Sequence, residues 1–308
     1  MVNDKKIASL AGEVSLGGDL PVHRLGFGAM RLTGAGIWGP PKDRKQAMAV
    51  LRRAIELGVN FIDTADSYGP AVSEELIAEA LFPYPPDLVI ATKGGWNRPG
   101  PDQWTHDASP AHLRQAVEGS LERLRLEQLP LYQLHAPDPA VSFEASMETL
   151  AELQNEGKIR LIGLSNVTQE HIQRARRFVP IASVQNRYSF ADREWDYAVD
   201  YCERNRIAFI PWYPLGAGGV GGEVLNRIAE AHDAKPMQVA LAWLLRRSPI
   251  MLPIPGTSSL QHLEQNVTAA ALQLTKREYE QLTDVPDLVR QGRVSAVRAQ
   301  SADGRGQV

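Results

Sequence analysis

Four residues in the first half of the chain have the types needed for acid–base work on a carbonyl: Asp63, Tyr68, Lys93 and His135. A tyrosine phenol in water has a pKa of about 10. A nearby ammonium such as that of Lys93 favours the phenolate and is expected to lower that value. The lysine needs a counter-ion to stay charged in a closed site, and Asp63 can supply it. A histidine donor can orient a carbonyl oxygen. The set describes an acid that protonates a developing alkoxide, which suits hydride delivery to an aldehyde or ketone.

Taken singly, each residue has a plainer reading. An Asp after a strand usually caps a helix, but Asp63 lies well before the next helical run, which starts near Val72. A lysine at a strand end is usually solvated, but Lys93 is followed by Gly94-Gly95, a backbone-rich surrounding. His135, after Leu131–Leu134, could be a core histidine satisfied by its neighbours. Four such coincidences on successive units are harder to accept than one site.

The elements that would hold them alternate. Short β-branched runs ending in polar or Gly-rich loops precede amphipathic helical runs. The units are Leu25–Ala29 with Asp43–Leu57, Asn60–Asp63 with Val72–Leu81, Leu88–Thr92 with Pro110–Leu124, and Leu131–His135 with Phe143–Asn155. They continue with Ile159–Gly163 and Thr168–Phe178, then Ala182–Gln185 and Trp195–Arg204. Ala208–Trp212 precedes Glu223–His232 and Pro236–Arg247, and Met251–Ile254 precedes Leu260–Ala270. Asp43 and Ser109-Pro110 read as helix N-caps, Gly58 and Gly157 as C-terminal caps. Eight strand–helix units without a split into halves predict one α/β domain over residues 1–308, a (β/α)₈ TIM barrel. Active-site residues of such barrels lie at the C-terminal strand ends. That rule selects Asp63, Lys93, His135, Ser165-Asn166, Gln185-Asn186 and Trp212-Tyr213, with Tyr68 in the loop after Asp63. Residues Ile7–Leu20, with Gly17-Gly18 near the turn, predict a hairpin that plugs the N-terminal end. The Gln-, Ser-, Gly- and Arg-rich tail after about residue 286 is expected to be loosely ordered.

Bulk properties exclude more than they suggest. The 308 residues are 44% hydrophobic and 22% charged, enough for an ordinary globular core. A net charge of -3 gives no reason to expect nucleic acid or an anionic membrane as partner. One cysteine, Cys202, rules out an intrachain disulfide and a cysteine-based zinc site, so no metal is expected. The polar start lacks the apolar stretch of a signal peptide, and no apolar run is long enough to span a bilayer. A cytoplasmic location is the expectation.

Several segments in order resemble one family, the aldo-keto reductases. They are Leu25-Gly26-Phe27-Gly28-Ala29-Met30, Asn60-Phe61-Ile62-Asp63-Thr64-Ala65-Asp66-Ser67-Tyr68-Gly69, Ala91-Thr92-Lys93-Gly94 and Leu134-His135. Further along stand Ile162-Gly163-Leu164-Ser165-Asn166, Val184-Gln185-Asn186-Arg187-Tyr188 and Ile254-Pro255-Gly256-Thr257-Ser258. The resemblance runs from Leu25 to about Thr275. It implies a tetrad of Asp63, Tyr68, Lys93 and His135, with Tyr68 as proton donor, and a nicotinamide cofactor. Ser165, Asn166 and Gln185 would hold the nicotinamide carboxamide, and Trp212 would stack on the ring where many members have tyrosine. Gly28, Ala29, Met30, Tyr213, Pro214, Leu215, Gly216, Gly218, Pro255, Gly256, Thr257, Ser258, Ser259, His262, Gln265 and Asn266 would line the rest of the cofactor.

The segment Gly216-Ala217-Gly218-Gly219-Val220-Gly221 fits a GxGxxG pattern, but it follows six earlier units and a strand interrupted by Pro211 and Pro214. In the family it would fold over the cofactor pyrophosphate, with a plain glycine linker as the alternative. Many NADPH-specific members carry a basic residue after the Ile-Pro pair and an arginine six residues later, on the 2′-phosphate. Here these are Gly256 and His262, so NADPH is expected to keep a reduced preference over NADH, with affinity improving when His262 is protonated. Trp38, Trp96 and Trp104 fall in loops and either wall an apolar substrate pocket or staple those loops. The stretch 38–44 and the region Pro253–Asn266 resemble a bacterial subgroup associated with pyridoxal reduction, so a pyridoxal-type or other small aldehyde is the expected substrate class.

Two other classes compete. A strand-end lysine in a barrel could form a Schiff base as in aldolases, but Ser165, Asn166 and Gln185 would then be idle. Some relatives bind cofactor yet act as channel-associated subunits or redox sensors, but here the tetrad is complete.

Overall fold

Each apolar run up to Trp212 becomes a strand, and seven of these strands lie side by side and parallel. The structure is a computed structural model that describes residues 6–216 and 222–284. A 3₁₀ turn, Ile7–Ala11, precedes an antiparallel hairpin of β1 (Glu13–Leu16) and β2 (Leu20–His23). Next come β3 (Phe27–Gly28), a 3₁₀ turn at Ala29–Leu32, α1 (Arg44–Glu56), β4 (Phe61–Asp63), α2 (Val72–Leu81) and β5 (Val89–Gly94). A second hairpin, β6 (Trp96–Gly100) and β7 (Gln103–His106), precedes α3 (Pro110–Leu124), β8 (Leu129–Leu134) and α4 (Phe143–Asn155). The chain continues through β9 (Ile159–Ser165), α5 (Gln169–Ala175), β10 (Ile181–Arg187), α6 (Asp196–Arg204) and β11 (Ala208–Trp212). It ends with α7 (Glu223–Ala231), α8 (Pro236–Arg247), α9 (Leu260–Thr268) and α10 (Lys276–Thr283). The parallel sheet has the order β11-β10-β9-β8-β5-β4-β3, sequence order once the β6–β7 hairpin is set aside. Such a run of neighbours joined by helices is what repeated βα units require.

The expected strand at Met251–Ile254 does not form as a regular strand. Met251 makes a single parallel bridge to Phe209, the Leu252 N–H donates to the Phe209 carbonyl at 2.8 Å, and the Gly26 N–H donates to the Pro253 carbonyl at 3.0 Å. Pro253 and Pro255 have no N–H to give, so a longer ladder cannot be built. The hairpin also departs from expectation: it spans residues 13–23, not 7–20. Its turn uses Gly17 and Gly18 at φ +61° and +92°. The capping expectations hold. The Asp43 carboxylate accepts from the Gln46 N–H at 2.9 Å, the Ser109 hydroxyl accepts from the His112 N–H at 3.3 Å, and Gly58 and Gly157 have positive φ. Helix α10 was not foreseen, although Thr275 and Glu278 form a reciprocal capping box at its start. The tail after residue 286 lies outside the described residues.

The core divides in two. One cluster packs the helices onto the outer face of the sheet. The other gathers Phe61, Val89, Ala91, Leu131, Ala208 and Ile210 from the strands with Val14, Leu16 and Val22 of the hairpin and Leu252 and Ile254. Side chains on a strand alternate faces. Stepping by two from Phe61, Ala91, Leu131 and Ile210 reaches Asp63, Lys93, Gln133, His135 and Trp212. The inner face is therefore apolar at the starts of the strands and polar at their C-terminal ends.

Candidate active site

Asp63 ends β4 level with Ala91 of β5, two residues before Lys93 on the same face, and Lys93 is level with Gln133 of β8. That register brings the charges together. Lys93 Nζ donates to Asp63 Oδ1 at 2.6 Å, to the Thr64 carbonyl at 2.8 Å and to the Tyr68 hydroxyl at 3.4 Å. Lys93 is fully buried and Asp63 nearly so, and a buried ammonium is costly unless an opposite charge stands beside it. Asp63 Oδ2 accepts from Gln185 Nε2 at 2.8 Å and Gln133 Nε2 at 3.1 Å. Gln133 escaped the sequence reading, although it sits two residues before His135 on the same strand. The last residue of β5 has no room for a side chain: a Cβ on Gly94 would stand 2.1 Å from the hydroxyl of the buried Tyr132.

Tyr68 and His135 meet edge to face, with ring centroids 5.8 Å apart. Burial pushes the Tyr68 phenol above its ordinary pKa. The Lys93 ammonium pulls it back and Asp63 pushes it up again. The expectation that lysine would win is therefore corrected: desolvation of the phenolate is the larger effect, and Tyr68 holds its proton at neutral pH. Burial works against the Lys93 charge too, but Asp63 and Tyr68 outweigh it and hold that ammonium above its ordinary value. Burial, then Lys93, Arg98 and His106, push His135 well below its ordinary range. The imidazole is thus neutral, with Nδ1 3.4 Å from Ser67 Oγ.

The three loop tryptophans collect beside this centre. Trp96 and Trp104 sit on the unforeseen β6–β7 hairpin, each edge-on to His135 at 6.3 Å. The Arg98 guanidinium lies 3.7 Å from the Trp104 ring centroid and 5.8 Å from that of Trp38. Arg98 also donates to the carbonyls of Gly36, Ile37, Ser67 and Gln103 at 2.8 to 3.0 Å. It therefore ties together the loops after β3, β4 and β5. The sequence reading missed it, since a lone Arg between Asn97 and Pro99 carries no periodic signal.

A second group flanks the centre. Asn166, in the left-handed region at φ +56°, donates from Nδ2 to the His135 carbonyl at 3.0 Å and to Ser165 Oγ at 3.2 Å. Trp212 Nε1 donates to Asn166 Oδ1 at 3.1 Å. Asn166, Ser165, Gln185 and the half-buried indole of Trp212 thus lie together at the ends of β9, β10 and β11. The chain then turns: the Gly216 N–H donates to the Tyr213 carbonyl at 2.9 Å, with Pro214 buried and Leu215 half-buried between them. Gly218 and the rest of 217–221 lie outside the described residues. On the far side, Ala29 and Met30 begin the 3₁₀ turn after Gly28, and Gly28 packs against Ile254 and Gly256. Thr257 Oγ1 accepts from the Ser259 N–H at 3.1 Å, and Ser259 Oγ from the His262 N–H at 3.4 Å, at the start of α9. Pro255 is buried, Gln265 is half-buried and Asn266 buried on that helix. Among the described residues no group of three or more His, Cys, Asp or Glu could hold a metal, and no helix is long and apolar enough to cross a membrane.

Residues 24–287 match the Aldo/keto reductase family. The chain belongs to that family. Two relatives are similar in sequence over most of the chain. An uncharacterised oxidoreductase of Schizosaccharomyces pombe is 48% identical over 279 residues, covering 90% of each chain. A pyridoxine 4-dehydrogenase of Escherichia coli is 46% identical over 267 residues, covering 84% of this chain and 93% of that one. Among solved structures, an aldo-keto reductase from Klebsiella pneumoniae in complex with NADPH superimposes with a TM-score of 0.75 at 28% identity, covering 92% and 95% of the two chains. Within this aldo/keto reductase, the lyase alternative meets a physical obstacle. A Schiff-base lysine must present a free amine, and Lys93 is held as an ammonium between Asp63 and Tyr68.

Proposed function

We propose that the chain is an NADPH-dependent carbonyl reductase that converts an aldehyde or ketone to an alcohol with Tyr68 as proton donor. The observation that carries this reading is the buried Asp63–Lys93–Tyr68 chain, with Lys93 Nζ 2.6 Å from the carboxylate and 3.4 Å from the phenol. When bound, the nicotinamide cofactor supplies the hydride. Ser165, Asn166 and Gln185 orient its carboxamide and Trp212 covers its ring. His135, neutral, would donate to the carbonyl oxygen from Nε2. Tyr68 then gives its proton to the oxygen as negative charge develops there, and the Lys93 ammonium stabilises the phenolate left behind. Asp63, fixed by Gln133 and Gln185, keeps Lys93 charged and aimed.

The same reading takes residues 1–308 as one cytoplasmic domain, a closed (β/α)₈ barrel. Two features support it: the backbone contacts of residues 250–253 to Phe209 and Gly26, and the packing of Val14, Leu16 and Val22 against the strand starts, as a hairpin plug would do. Trp38, Trp96 and Trp104 wall the substrate pocket, and their flat faces favour an aromatic aldehyde of the pyridoxal type. The resemblance to a pyridoxine 4-dehydrogenase adds weight to that class. The test is NADPH and NADH oxidation against pyridoxal, benzaldehyde-type and short aliphatic aldehydes. We expect NADPH to be preferred and pyridoxal to be turned over; no turnover with any aldehyde would overturn the reading.

A further inference from the structure

The departure at Gly256 has a geometric cause. The end of β3 and the segment 254–256 approach so closely that neither Gly28 nor Gly256 has room for a side chain. A Cβ on Gly28 would stand 2.7 Å from the Ile254 carbonyl oxygen, and a Cβ on Gly256 would stand 2.6 Å from the Gly28 carbonyl oxygen. Both obstacles are backbone and cannot swing aside. A lysine or arginine at position 256 is therefore excluded unless the two segments part. Yet the place where its stem would run is not empty of cations: the Arg31 Cγ lies 3.6 Å from that same hypothetical Cβ, an ordinary van der Waals contact.

We propose that Arg31 supplies the positive charge that Gly256 cannot, and that it reads the 2′-phosphate of NADPH from the β3 side of the cleft. This rests on the cofactor reading given above. Arg31 stands on the 3₁₀ turn Ala29–Leu32 and is exposed, and among the described residues its guanidinium has no carboxylate or hydrogen-bond partner. The arginines of the adjoining helix are committed elsewhere: Arg44 to Glu79, Arg52 to the Ala80 carbonyl, and Arg53 to Glu264 and Glu56. Gly256 is the neighbour of the Arg31 stem, and the sequence that follows it, residues 257–261, carries hydroxyls at Thr257, Ser258 and Ser259 and no carboxylate. A planar guanidinium suits a phosphate dianion, and bidentate contacts to phosphate are the strong ones.

The test compares the wild-type chain with Arg31→Gln, Arg31→Lys and, as a control of equal charge change on α1, Lys45→Gln. The readout is the dissociation constant of each ligand from quenching of tryptophan fluorescence. The ligands are NADPH, NADH, 2′,5′-ADP and 5′-ADP. In Arg31→Gln we expect NADPH and 2′,5′-ADP to weaken about tenfold, while NADH and 5′-ADP change less than about twofold. Arg31→Lys should recover part of the loss, and Lys45→Gln should resemble wild type. Equal weakening of NADPH and NADH would assign Arg31 to the diphosphate and overturn the proposal, as would an effect of Lys45→Gln matching that of Arg31→Gln. Wild-type protein that binds neither dinucleotide would instead remove the cofactor reading, and this proposal with it.

Discussion

The indole N–H of Trp212 donates to Oδ1 of Asn166 at 3.1 Å, so the ring at the end of β11 is tied to the amide after β9. A phenylalanine would keep a flat ring but lose the donor that fixes the amide. Trp212→Phe should weaken NADPH binding a few-fold, and Trp212→Ala should weaken it further and reduce the fluorescence quenching on titration. Unaltered affinity and quenching in both variants would make Trp212 a packing residue.

Tyr68→Phe removes the proton donor and preserves ring volume. Acid–base assistance contributes roughly 10²–10⁴-fold, so aldehyde reduction should fall by at least about 10²-fold. Dinucleotide affinity should stay near that of the wild type. Single-turnover measurements check both, and near-normal turnover would refute the proposed acid.

Lys93→Met leaves the Asp63 carboxylate buried without its partner. Breaking a buried ion pair from one side costs about 3–5 kcal/mol, and we expect that loss in urea unfolding. Asp63→Asn combined with Lys93→Met should cost less than the two single losses added together. Strict additivity would mean that the two groups do not depend on each other.

His135 predicts a pH dependence of stability. Its folded pKa lies well below the ordinary 6.5, chiefly through burial. The unfolded chain therefore takes up a proton that the folded chain refuses. Stability from this group is complete above about pH 6.5 and is lost as pH falls below it, with a slope of up to about 1.4 kcal/mol per pH unit. Wild type should lose more stability between pH 7 and 5 than His135→Gln, in which this titration is absent. Parallel curves for the two proteins would contradict a buried neutral imidazole.

Much of this protein was determined by local sequence. Helix α2 (Val72–Leu81), helix α3 (Pro110–Leu124) and strand β11 (Ala208–Trp212) have the bounds that period and caps predicted, because 3.6- and 2-residue periodicity and the N-cap at Ser109 act within a few residues. That Asp63, Tyr68, Lys93 and His135 come together was also legible, since strand ends converge once parallel strands are joined by helices. What only the tertiary structure decided depends on distance through space. Gln133 matters because it faces Asp63 across the inner surface, and Arg98 because three separate loops offer it carbonyls. The β6–β7 hairpin reads as a Pro- and Gly-rich loop until the wall of tryptophans packs it in place. The phenol of Tyr68 shows the limit most clearly. Its two neighbouring charges can be read from sequence, but the burial that outweighs them is a property of the whole packed interior.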